Sequence, residues 1–285
     1  MRSEAWYAPV RLHMMYIKHL PGKLKPDRWV SSLEAKSSMK SLLSDQSIIR
    51  NILLRALDAS DYAAVAPHLS RVPLDEGHVL AKVGEEIESV CFPESAITIV
   101  TDVLDDGTMT EIGMVGYEGL SGWAVLLGAR RSHLDATVRV GGGTALRIGV
   151  DPLLALCEQR PAAAAIFLRF VNCFMIQAAR TASSNLHDAT DRRLARWLLM
   201  CHDRLDSDNI SLTHSAIGQT LGVRRASVTD ALHLLEGEGA IRSMRGRIQV
   251  RDRLRLERIA GQSYGAAEAC YTMFIAPFGK TAPHL

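Results

Sequence analysis

No two cysteines of this 285-residue chain are spaced as CxxC: Cys91, Cys157, Cys173, Cys201 and Cys270 stand far apart. Such spacing excludes a redox dithiol motif and paired zinc ligands, and it fits free thiols in a reducing compartment. No secretory apolar region is found, and no apolar run of about 18 residues for a bilayer span is expected. The expectation is a cytoplasmic protein with no membrane partner. Catalytic signatures are missing as well. There is no nucleophile elbow, P-loop, HExxH or dinucleotide fingerprint. The glycine-rich "VGGGTA", Val140 to Ala145, lies between two strand candidates with no helix after it and reads as a hairpin turn. No catalytic residue, metal ligand or cofactor is therefore assigned, and an enzyme is not expected. A large excess of one charge is also lacking: the net charge is +2, so any contact with nucleic acid must come from a local patch.

What is present is an ordinary globular composition, 47% hydrophobic and 22% charged, in a length that suits about two domains. Residues 1–45 mix "KLKPDRW" and "SSLEAKSSMK" without a sustained period and are expected to form a weakly ordered extension. "MKSLLSD" at Met39 would start the chain just before the first clear pattern. In "NILLRALDASDYAAVAPHL" the apolar residues recur at helical spacing, with Asp58 to Ser60 as a break and cap between two short helices.

Between Val72 and Val150 the pattern changes to short β-branched runs punctuated by glycine. "ESVCFP", "AITIVTDVL", "TMTEIGMV", "ATVRV" and "TALRIGV" are the strand candidates, and "DDGT" at Asp105 to Thr108 is the clearest hairpin turn. Many short strands at regular spacing predict a sandwich-like or barrel-like β domain over residues 46–150. The helical period restarts in "DPLLALCEQ", with Asp151 as N-cap and Pro152 at the first helical position. A second helix is expected from Pro161 toward Leu186, so residues 151–187 form a helical connector. Its stripe of Phe167, Phe170, Phe174 and Ala178 is too aromatic to face water. Two uses are open: packing on the β domain of the same chain, or a seam between two copies.

Residues 188–258 carry the most informative pattern. After the amphipathic "DRRLARWLLMCHDRL", Thr213 can cap "HSAIGQTLG", Gly222 breaks that helix, and the next helix buries Val228, Ala231, Leu232 and Leu235 at i, i+3, i+4 and i+7. Two short helices joined by a glycine turn make a helix-turn-helix, and the alternation of "AIRS" and "RIQV" around "MRG" adds a wing. On the outer face of the second helix stand Arg224, Arg225, Ser227, Thr229 and Asp230. A helix shaped for stability alone avoids cations in its first turn, so an acidic partner outside the protein is expected to offset them. Arginine bonds guanine O6 and N7 in bidentate fashion, which makes double-stranded DNA that partner. Ser211 to Arg255 holds eight arginines against four acids, a local net of +4. Arg245 and Arg247 at the wing tip suit phosphate contacts. For any single arginine the plain alternative is a solvated surface charge. Residues 259–285 are apolar in places and have no readable role.

A β domain, a long helix and a C-terminal winged helix-turn-helix, in that order, resemble the Crp/Fnr superfamily of bacterial transcription regulators. "IGQTLGVRRASVTDALHLLEGEGAI" and "VLAKVGEEIESVCFPESA" carry the resemblance, which covers about Ile49 to Leu256. It implies an α+β fold: an N-terminal antiparallel, jelly-roll-like β-roll that senses, a long dimerisation helix, and a winged helix-turn-helix. It also implies a homodimer on a two-fold DNA site, with RNA polymerase as a further partner. Thr213 and Ser215 are then phosphate-side contacts, and Arg225 reads a base.

The chain departs from the cyclic-AMP-responsive branch in several places. Ala226 and Asp230 replace the Glu and second Arg of that branch's recognition helix, so the operator is expected to differ. Asp230 either accepts from a cytosine amino group or holds Arg224 or Arg225 in place, the latter being favoured. In the effector pocket, placed at Gly119, Ser121 and Asp135, Ser121 stands where the branch has Glu, and Leu134 and Asp135 stand where it has Arg-Ser. An aspartate facing a phosphate repels it, so cyclic AMP is not expected. "RRS", Arg130 to Ser132, sits several residues too early to supply the arginine. The cysteine cluster of the iron-sulfur branch is missing, since no cysteine precedes Cys91. His78, His133 and Cys91 are the candidate haem ligands. The effector is left unnamed. A rival reading is a sensor module that responds to a small ligand or haem and acts through protein contacts.

Overall fold

The computed structural model describes residues 43–280, so the extension expected over 1–45 lies almost wholly outside the described residues. Two short helices open it, α1 (Ile52–Arg55) and α2 (Ala59–Val65). Asp58 caps α2 by accepting from the Asp61 amide at 2.7 Å, at the break expected there.

Seven antiparallel strands follow: β1 (Ser70–Leu74), β2 (Val79–Ala81), β3 (Ser89–Pro93), β4 (Ile97–Val103), β5 (Met109–Val115), β6 (Asp135–Val140) and β7 (Gly143–Gly149). They form two sheets, ordered β1-β7-β3 and β2-β6-β4-β5. β1 and β2 were not among the strand candidates. β2 has three residues, and β1 contains Pro73, tolerated because β1 is an edge strand. The Asp105–Thr108 turn joins β4 to β5 as expected, with Gly107 at φ +82°. "VGGGTA" is not a hairpin turn: β6 and β7 belong to different sheets, so this stretch crosses between them.

Three helices come next, α3 (Val150–Gln159), α4 (Pro161–His187) and α5 (Thr190–Arg204). Gly149, not Asp151, holds the N-cap of α3, and Pro152 sits at its third position. Asp151 instead lies in the first turn, where a carboxylate suits the helix dipole, and pairs with Arg130 at 2.8 Å. α4 corrects a second expectation. By length and composition alone it is apolar enough to cross a membrane, with a mean hydropathy of 1.6 in its best window. In the fold its aromatic face is core: Phe167, Phe170 and Phe174 are buried, with ring contacts Phe92–Phe167 at 5.8 Å and Trp123–Phe174 at 5.3 Å. Burying each ring stabilises the protein by roughly 1.5–3 kcal/mol. Ala178 is half-buried.

The remaining elements are β8 (Asn209–Ile210), α6 (His214–Leu221), α7 (Arg225–Gly237), β9 (Ile241–Met244), β10 (Arg247–Val250), α8 (Arg253–Ala260) and α9 (Ala266–Phe274). Leu194, Leu198, Ile217, Val228, Leu232, Leu235, Ile248 and Leu256 share one core with Ile97, Ile99 and Met114 of the larger sheet. The helical domain is therefore seated on that sheet. At this seam the Trp197 indole N–H donates to Glu111 at 3.0 Å. The last segment packs back on the body. Ser263 donates to Asp188 just past the end of α4, Cys270 meets Cys173 at 3.2 Å, and Arg169 donates to the Phe274 carbonyl at 3.3 Å. α9 thus runs antiparallel along α4, and the Tyr271 hydroxyl donates to the Glu118 carbonyl of the β domain at 2.5 Å.

Candidate functional site

The pair α6 and α7 is built by local rules. Thr213 caps α6, its hydroxyl accepting from the Ala216 amide at 3.1 Å. Gly222 ends α6 at φ +63°, a left-handed conformation open to glycine at little cost. Gly218 lets the turn close, since a Cβ there would lie 2.9 Å from the Val223 carbonyl oxygen. α7 then buries Val228, Ala231, Leu232 and Leu235, the apolar set expected from the sequence.

The outward face of α7 begins with Arg224 as N-cap, without a side-chain capping bond, and Arg225 at the first helical position. Both are exposed, and no acid stands in the first turn. Among the described residues neither guanidinium makes a hydrogen bond or ion pair, although each cation at a helix N-terminus costs about 0.3–1 kcal/mol. Asp230 is exposed and pairs with neither arginine, which overturns the expectation that it holds them in place. Ser227 is half-buried. The Thr229 hydroxyl donates to the Arg225 carbonyl and lies 3.2 Å from His214 Nδ1, so it ties α7 to α6. Thr213 and Ser215 are exposed at the start of α6. At the wing, Arg245 and Arg247 are exposed around Gly246 (φ +70°), and the Ser243 amide donates to Glu236 of α7 at 3.1 Å. Gln219 of α6, which the sequence did not single out, is also exposed on this surface, as are Ala226 and Arg242.

Residues 192–259 match the model of the Crp-like helix-turn-helix domain. The chain carries a Crp-like helix-turn-helix domain. No curated protein matches the chain by sequence. Among solved structures, it is similar to a CRP-family transcriptional regulator from Thermus thermophilus (TM-score 0.57, 22% identity, 68% of this chain and 99% of that one). It is equally similar to FixK2 from Bradyrhizobium japonicum (TM-score 0.57, 17% identity, 68% and 98%). The c-di-GMP-responsive global regulator CLP of Xanthomonas campestris follows (TM-score 0.55, 14% identity, 68% and 99%). The fold around the Crp-like module is that of the Crp/Fnr transcription regulators.

Within this frame the three effector-pocket residues do not converge. Ser121 is buried beside a cavity between the β domain and the Trp123–Leu127 turn. Gly119 lies elsewhere, against α4: a Cβ there would stand 2.2 Å from the Phe170 ring. Asp135 accepts the Val83 amide at 2.8 Å and does not line the cavity. Of the haem candidates, His78 is exposed, and His133 is exposed at the cavity rim. Cys91 is buried in a separate apolar cluster, its thiol pushed up to about 11 by burial. A cavity of about 200 Å³ has no room for a porphyrin, so these residues do not fit a haem.

The proposed seam residues Phe167, Phe170 and Phe174 are likewise engaged inside the protomer. The face of α4 that remains exposed carries Leu168, Asn172, Met175, Ala179, Ala182 and Leu186. Their spacing alternates four and three, the period of a two-stranded coiled coil. At the seam between the two domains, burial pushes the Glu111 carboxyl up to about 8. The Trp197 hydrogen bond and, more weakly, Arg196 and Arg204 oppose the rise.

Proposed function

We propose that the protein is a sequence-specific, DNA-binding transcription regulator that works as a cytoplasmic homodimer on a two-fold site. Arg225 and Arg224 read bases from the start of α7, and Ser227 lies on the same face. Thr213, Ser215, Arg245 and Arg247 anchor the phosphates, and Asp230 accepts from a base amino group. The observation that carries the proposal is the pair of exposed arginines, without internal partners, at the uncapped start of a recognition helix. A module working only through protein contacts has no need of that arrangement.

The exposed stripe of α4 supports the dimer, since its residues recur at the spacing of paired helices. A two-fold dimer presents two α7 helices to successive major grooves. Cyclic AMP is not its effector, because the cavity beside Ser121 is lined by no arginine or lysine to neutralise a phosphate and has only His133 at its rim. RNA polymerase is the partner through which a bound dimer acts.

The test is titration of the purified protein with a fluorescent duplex from its own upstream region across a salt series, beside Arg225→Ala. Wild type is expected to bind specifically, and the variant to keep only a weak, salt-sensitive component. Equal binding by both proteins would sink the base-reading role. Sedimentation of Met175→Glu tests the seam: monomers are expected, and a persistent dimer would place the interface elsewhere.

A further inference from the structure

We propose that Cys173 and Cys270 form a redox-sensitive pair, which a peroxide joins into a disulfide between the long helix α4 and the C-terminal helix α9. The sequence spaces the five cysteines too far apart for a dithiol motif, yet the fold brings two of them, 97 positions apart, into contact. Their sulfurs lie 3.2 Å apart, so a bond of about 2.05 Å requires an approach of only about 1 Å. The contact is held on both sides. Arg169 of α4 donates to the Phe274 carbonyl at one end of α9, and Ser263 is tied to Asp188 before the other. The remaining thiols lack such a neighbour. Cys91 and Cys201 are buried in two other clusters, and Cys157 lies on α3 without a sulfur contact.

The two members of the pair are not equivalent. Cys173 is 4% exposed, and burial together with the adjoining Cys270 thiol pushes its own thiol up. Cys270 is 8% exposed and follows the exposed Ala269. The Asn172 side-chain amide donates to its sulfur at 3.7 Å, a bond that favours the thiolate. Cys270 is therefore the attacking sulfur. It gives its proton to water, and the thiolate attacks one peroxide oxygen. The O–O bond breaks, a sulfenic acid forms on Cys270, and the departing hydroxide takes up a proton. The Cys173 sulfur then attacks the sulfenic sulfur: the S–S bond forms, the S–O bond breaks, and hydroxide leaves with the Cys173 proton as water. Two thiols are oxidised and one peroxide is reduced to two waters. Because the second thiol already touches the first, closure outruns further oxidation of Cys270.

The bond would enclose the whole helix-turn-helix in one covalent loop and fix α9 on α4. Tyr264 and Lys280, on either side of α9, would then be held at Asp203. None of this depends on DNA binding.

The experiment uses the full chain, reduced, freed of reductant and exposed to a small excess of hydrogen peroxide. After quenching with catalase, thiols are counted on the unfolded chain. A fall from five thiols to three is expected, with a mass lower by two hydrogens, a peptide linking Cys173 to Cys270, and recovery of all five in dithiothreitol. The oxidised protein should melt above the reduced one, since the cross-link constrains the unfolded chain. Cys270→Ser should lose both the link and the melting shift, whereas Cys157→Ser should keep both. The proposal is overturned if folded wild type keeps five thiols, if Cys270 passes unlinked to the sulfinic acid, or if the link forms between other cysteines or between two chains. Should a variant fail to fold, the peptide map of wild type decides alone.

Discussion

The helical domain holds two populations of arginine that are indistinguishable as letters. Arg204 is 2% exposed and paired with Glu118 at 2.7 Å, and Arg253 is paired with Asp203 at 2.8 Å. Arg224 and Arg225 are exposed and have no side-chain partner among the described residues. The first pair is built into the protein's own stability, since removing one member of a buried ion pair leaves a charge stranded away from water. The second pair is unfavourable within the monomer and becomes useful only beside an anion. Local net charge counts both kinds equally, which is why a basic stretch alone says little about where a partner sits.

The largest effect that can break this comparison is at Arg204. Arg204→Ala leaves Glu118 buried without its cation, and a loss of about 3–5 kcal/mol is expected, read as a fall in the urea midpoint. A midpoint close to wild type would show that Glu118 finds other compensation. Arg225→Ala should do the opposite. Thermal unfolding stays at or slightly above wild type, since a cation at a helix N-terminus costs about 0.3–1 kcal/mol, while affinity for the specific duplex falls by about 1–3 kcal/mol.

Glu111→Gln sharpens the comparison from the acid side. Because burial raises the folded Glu111 carboxyl to about 8, its stability contribution is full below the unfolded value of 4.5 and is lost as pH rises through about 8. The variant, which can still accept from Trp197, should melt with wild type at pH 4 and a few degrees above it at pH 8. Parallel melting curves at both values would show that Glu111 stays charged. The smallest effect is at the wing. Arg245→Ala is expected to weaken all duplexes by a similar small factor and to lower the salt slope by about one per protomer. A change in sequence preference instead would make Arg245 a base reader.

Much of this organisation was legible because it is local. Gly222, Thr213 and the Val228–Leu235 set act within one or two turns of chain, and five strands follow from β-branched runs between glycines. What escaped depends on distant contacts. β1 was hidden by Pro73, whose place on a sheet edge is a property of topology. Asp151 looked like a cap because nothing nearby revealed Arg130 as its partner. The aromatic stripe of α4 overshadowed the opposite one, which uses Asn172, Met175 and two alanines and so has little hydrophobic contrast. Ser121 was legible as a pocket residue, but Gly119 and Asp135 were placed there by analogy of position, and their side-chain surroundings are set by α4 and by the Val83 amide.

The buried carboxylate of Asp203 bears on how the chain is made. It is 0% exposed and takes bonds from Arg253, the Tyr264 hydroxyl and the Lys280 backbone amide. Two of those donors lie well beyond the Crp-like module, which ends at 259. During synthesis the module emerges from the ribosome before two of the three groups that satisfy this carboxylate, so its interior is completed only once residue 280 is in place. A chain that ended after the module would present the recognition helix on a core whose buried Asp203 lacks two of its donors and which is therefore more open to proteolysis.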